Sequence, residues 1–149
     1  AMVYDNARVY DNAWVFGDAR VYDNAWVYGD ARVSGDAMVS GDARVYDNAW
    51  VYGDAWVYGD ARVSGDARVY GDARVSGGAW DISPLQIQGT KHFINMCTKS
   101  KLKIGCRKYR IQNWLKQGEE IGKKNGYTKE EIEEYKLYIE LANKLYGGK

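Results

Sequence analysis

Over residues 1–78 the chain repeats a six-place pattern with no insertion. Ala holds the first place and Val the third in all thirteen units; the second place is Arg, Trp or Met, and the fourth is Tyr, Ser or, once, Phe16. The last two places draw on Gly, Asp and Asn, as in Ala31-Arg32-Val33-Ser34-Gly35-Asp36. Side chains along a strand alternate between its faces, so Ala and Val share one face and the bulky second and fourth residues share the other. Gly-Asp and Asp-Asn then turn the chain, because Gly, Asn and Asp tolerate positive φ. Six residues make one strand and one corner, and three units close a triangular coil of eighteen. Thirteen units give four coils and one further side, a stack roughly 20 Å tall at about 4.8 Å per coil. The axis is filled by Ala and Val, each buried Val contributing about 1.5–3 kcal/mol.

Stacking every third unit sets the outward residues in columns: Met2, Arg20, Met38, Trp56 and Arg74; Arg8, Trp26, Arg44, Arg62 and Trp80; and Trp14, Arg32, Trp50 and Arg68. Tyr and Ser columns run beside them. Arg over an aromatic ring is worth about 0.5–1 kcal/mol at an exposed site, so the columns can be self-stabilising ladders. Trp, Tyr and Arg are also the residues enriched at binding hot spots. Trp14, Trp26, Trp50, Trp56, Tyr28 and Tyr46 are therefore the candidate oligomer interface.

The period stops after Trp80, dividing a repeat domain, 1–80, from a module over 81–149. Asp81–Pro84 reads as a connector. Leu85–Gln88 reads as a short strand, with two more at Phe93–Cys97 and Leu102–Cys106 joined by a turn at Thr98–Lys101. That turn sets Cys97 opposite Leu102, so no cross-strand disulfide to Cys106 is expected. Ile111, Trp114 and Leu115 begin a helix that Gly122–Gly126 breaks. Thr128 and Glu131 form a capping box ahead of an amphipathic helix that ends at Gly147-Gly148. So small a module buries little by itself and is expected to cap the last coil.

The array resembles the hexapeptide-repeat family, whose fold is the left-handed parallel β-helix; the left hand is implied by the family alone. The fold class expected is mainly β, a four-coil β-helix followed by a small α+β module. Many family members are acyltransferases with a His general base, and many pack as trimers. The only His here is His92, outside the array, which weakens the acyltransferase reading. The layout, with Ile104-Gly105-Cys106 and a Tyr-rich terminal helix, also resembles small proteins of phages and mobile elements. That resemblance implies an anti-defence role in the bacterial host cytoplasm.

Charge is split between the halves. Residues 1–78 hold 7 Arg against 12 Asp, a net of −5, while 79–149 hold 14 Lys and Arg against 8 acids, a net of +6. Residues 91–118 carry eight cations and no acid. Basic residues interleaved with Thr90, His92, Tyr109 and Trp114 suit an anion such as a nucleotide phosphate. Candidate anion-binding residues are Thr90, Lys91, His92, Arg107, Lys108, Arg110 and Trp114. No nucleophile–base pair, metal set or cofactor motif stands out, and two Cys are too few for a disulfide scaffold. The expected function is a non-catalytic, homo-oligomeric (trimeric) binder that sequesters an anionic small molecule such as a nucleotide immune signal. The alternatives are an inhibitor of a host defence protein, such as a CRISPR nuclease complex, and an acyltransferase. Neither nucleic acid nor membrane is an expected partner.

Overall fold

The computed structural model describes residues 1–147. Fourteen two-residue strands wind into a parallel solenoid of about four coils with three sheets. The first sheet holds β1 (Met2–Val3), β4 (Arg20–Val21), β7 (Met38–Val39), β10 (Trp56–Val57) and β13 (Arg74–Val75). The second holds β2 (Arg8–Val9), β5 (Trp26–Val27), β8 (Arg44–Val45), β11 (Arg62–Val63) and β14 (Ala79–Trp80). The third holds β3 (Trp14–Val15), β6 (Arg32–Val33), β9 (Trp50–Val51) and β12 (Arg68–Val69). Register advances by eighteen residues per coil, as in Trp14 beside Arg32 beside Trp50. From Ala19 to Val75 every first-place Ala and third-place Val is fully buried.

The fifth place of the first twelve units is held at positive φ, by Gly or by Asp5, Asp11, Asp23 and Asp47 at φ 57–59°. That region strains an L-residue. Asp offsets the strain by reaching the next coil: Asp23 Oδ2 accepts from the Gly41 N–H at 3.1 Å, and Asp11 and Asp47 do the same for Gly29 and Gly65.

The columns form as the repeat predicts, with one correction. Trp80 pairs with Val63 and not with Arg62, because the last turn is one residue short: Arg62 stands beside Ala79. The Gly77-Gly78 corner, with Gly78 at φ +88°, lets the chain cut that turn. Trp80 therefore points down the axis, 1% exposed, and closes the core. Its Nε1–H donates to the Gly77 carbonyl at 2.8 Å.

The module is a four-stranded antiparallel sheet, β15 (Gln86–Gln88), β16 (Phe93–Met96), β17 (Lys101–Ile104) and β18 (Arg107–Arg110), followed by α1 (Ile111–Lys124) and α2 (Lys129–Tyr146). The strand β18 was not expected, because its alternation of Arg107, Lys108, Tyr109 and Arg110 has no aliphatic face. The hairpin register also differs from expectation. Met96, not Cys97, lies opposite Leu102, and the Cys97 N–H donates to the Lys101 carbonyl at 3.0 Å. Both thiols are free, Cys97 buried and Cys106 exposed. Helix α1 runs through Gly122 and stops at Asn125. Helix α2 has the full Thr128–Glu131 capping box and ends on Gly147; Gly148, the other half of the expected stop, lies outside the described residues.

One face of this sheet lies on the last coil and supplies the partners that a further coil would give. The Asn95 side chain imitates a strand, its Oδ1 accepting from Arg74 N–H at 3.3 Å and its Nδ2 donating to Arg74 O at 2.9 Å. Gln86 does the same for β12, with Oε1 on Tyr70 N–H and Nε2 on Arg68 O, both at 2.9 Å. Ser83 Oγ accepts from Arg68 N–H at 2.9 Å. The Cys97 carbonyl accepts from Ser76 and Gly77. Gly71 has no room for a side chain: a Cβ there would sit 2.9 Å from the Phe93 ring.

Candidate ligand surfaces of the module

The seven anion-site residues expected from the sequence fall into three groups. Thr90 and Lys91 are engaged by α2. Glu134 takes the Thr90 hydroxyl at 2.5 Å and its N–H at 2.9 Å, and these bonds hold the Glu134 carboxyl below the usual carboxylate range. The Tyr135 hydroxyl accepts from the Lys91 and His92 N–H groups at 3.0 and 2.6 Å and donates to His92 O at 3.0 Å. Gly89 admits that hydroxyl, since a Cβ there would clash with it. The Lys91 ammonium sits 4.7 Å from the Tyr127 ring centroid. These two residues are joints between loop and helix.

Strand β18 separates the rest. Tyr109 and Arg107 stand opposite Leu102 and Ile104, on the face that carries the helices. Trp114 packs there, edge-on to Tyr109 at 5.2 Å, with its Nε1–H on the Leu102 carbonyl at 2.8 Å. Lys108 and Arg110 belong to the other face, the one that Asn95 and Gln86 share. There Lys103 lies directly opposite Lys108, and Lys101 directly opposite Arg110. Among the described residues none of the four cations has a carboxylate within ion-pair range; the Lys103 ammonium donates to the Gly105 carbonyl, and Asp72 is near enough to favour its charge slightly. Like charges placed directly opposite one another are unfavourable. Half-burial, and then the nearby Arg74 guanidinium, lower the Lys103 pKa. Lys101 and Lys103 were not singled out from the sequence. The signal was present in Lys-Leu-Lys-Ile, whose alternation puts both ammoniums on one face.

On the helix side a cleft of about 240 Å³ opens between the β17–β18 hairpin, α1 and α2. His92, Arg107 and Trp114 line it, together with Ile104, Cys106 and Tyr127. Burial, reinforced by Tyr135, pushes the Tyr127 pKa up to about 12.

The six candidate interface aromatics are already engaged within the chain, to differing degrees. Tyr28 and Tyr46 stack with Tyr10 in a ladder at 5.0 Å spacing. Arg8 and Arg44 flank Trp26 at 5.3 and 4.9 Å, and Arg32 and Arg68 flank Trp50 at 5.9 and 5.7 Å. The indole N–H groups of Trp50 and Trp56 donate to Ser34 and Ser40 at 3.0 and 2.8 Å. Trp14 is the open one, 65% exposed with an edge contact to Phe16. No group of three or more His, Cys, Asp or Glu that could hold a metal ion exists among the described residues. No helix among them is long and apolar enough to cross a membrane.

The stacked coils and their three parallel sheets define the N-terminal half as a parallel β-solenoid. A family model for the YdcK beta solenoid repeat matches residues 1–17, 13–29, 31–45, 43–59, 55–69 and 67–81, more than half of the chain, and the chain belongs to that family. No curated protein and no solved structure matches it.

Proposed function

We propose that the chain is a non-catalytic binding protein. In this reading the solenoid is a rigid stand, and a phosphate-bearing anion sits at the margin of the solenoid-side face, where Lys108 and Arg110 are exposed. The observation that carries the reading is the block of Lys101, Lys103, Lys108 and Arg110, opposed pairwise across β17 and β18 with no carboxylate within ion-pair distance among the described residues. An anion bridging both pairs would relieve their repulsion, and Arg110 offers the planar fork that suits phosphate. The likeness of the array-plus-module layout to small phage proteins extends the proposal to sequestration of a nucleotide signal.

The test is calorimetric titration of the full chain with ATP and with inorganic pyrophosphate. Lys108→Glu with Arg110→Glu should weaken both at least tenfold. Arg107→Glu, on the opposite face, should change them less than twofold. Affinity should fall steeply with added salt. Equal losses from the two faces, or no binding by wild type at low salt, would remove the proposal.

A further inference from the structure

The cleft on the helix side of the sheet carries chemistry unlike that of the cationic face. Protein interiors are close-packed, with few voids larger than a water molecule. Here an apolar floor of Ile104, Trp114, Ile121, Ile132 and Ile139 borders a space of about 240 Å³. Two glycines of α1 keep side chains out of it. A Cβ at Gly118 would lie 3.2 Å from Ile139 Cδ1, and one at Gly122 would lie 3.2 Å from Ile132 Cγ1.

Polar groups on the loops border the same space: His92 ahead of β16, Cys106 and Arg107 at the hairpin, and Tyr127 between the helices. The Arg107 guanidinium has no carboxylate in ion-pair range among the described residues, and its one hydrogen bond, to the Tyr109 hydroxyl, is long at 3.5 Å. The other charged groups along the cleft are Lys116 and Glu119 of α1 and Lys136 and Glu140 of α2. Glu119 is bound to Lys123 at 3.1 Å. The space is below the roughly 300–1,000 Å³ of sites for drug-sized ligands, so its occupant is small.

We propose that this cleft binds a small amphipathic carboxylate, its apolar body on Trp114 and the isoleucines and its carboxylate on Arg107 and His92. The cleft and the phosphate face lie on opposite sides of one sheet, so the two readings stand or fall separately.

Octanoate is the probe, with octanol as its uncharged counterpart, titrated into the full chain. Octanoate is expected to bind one to one, and octanol at least tenfold more weakly. Arg107→Gln should bring octanoate down to the affinity of octanol and leave octanol unchanged. Gly118→Leu fills the space and should abolish both. Should that variant fold poorly, Cys106 gives a second readout in wild-type protein. Its thiol borders the cleft, so saturating octanoate should slow its reaction with a disulfide reagent at least fivefold, while the buried Cys97 stays unreactive. Lys108→Glu with Arg110→Glu should leave octanoate binding intact. The proposal is overturned if octanoate neither binds nor protects Cys106, or if octanol binds as tightly as octanoate.

Discussion

At the scale of single residues, the module is fastened by groups whose ionisation matters. Glu134 bridges α2 to the Thr90 loop, and the Thr90 hydroxyl, then the Thr90 N–H and the Tyr138 hydroxyl, favour its charged form. Its folded pKa therefore lies below the ordinary value of 4.5, and the unfolded chain takes up the proton first. The stability this gives is complete above about pH 4.5 and is lost as pH falls through the lower folded value. Glu131 in the capping box acts in the same direction, through the Thr128 backbone N–H and then its hydroxyl. Glu134→Gln should make the melting temperature fall less steeply with acid than in wild type; parallel acid limbs in the two proteins would show that the bridge contributes nothing.

At the scale of elements, the informative feature is how strand edges end. A parallel strand that leaves the stack would orphan alternate N–H and C=O groups, and each such group buried without a partner costs about 1–3 kcal/mol. Asn95 satisfies both groups of Arg74 with one side-chain amide, itself fully buried. Asn95→Leu keeps the branched outline of the side chain and removes both bonds. It should cost about 2–4 kcal/mol in urea unfolding, and a loss below about 0.5 kcal/mol would mean that water replaces the amide. This element was only partly legible in the sequence. The rungs were readable because Ala, Val and the turn pair recur at fixed places, so burial and periodicity coincide. The caps were not, because a strand-mimicking Asn or Gln looks like any polar strand residue until its partner is seen. Strand β18 was hidden for a related reason: only Tyr109 of its four residues is half-buried, and a run of cations reads as a surface. Three of the seven candidate anion residues, Arg107, Lys108 and Arg110, lie in that run, and the pleat of the strand puts Arg107 and Lys108 on opposite faces.

At the scale of the whole molecule, a negatively charged prism carries a positively charged lid, and Trp80 marks the junction. Its rung is one residue short, so the indole fills the axis where the next Val would stand. The lid is therefore keyed to one corner of the final coil, and the number of repeats sets its bearing relative to the prism's base. Three duplicated units would raise the lid by one coil, about 4.8 Å, without turning it. One duplicated unit would swing it a third of a revolution and carry Lys101, Lys103, Lys108 and Arg110 over a different wall. Spin labels on Cys106 and on Arg20→Cys would register this: a small axial lengthening for eighteen added residues, a lateral jump for six, and a fixed separation in neither. Gene-level gain or loss of six-residue units would thus act as a rotary dial, re-aiming the charged lid without altering one of its own side chains.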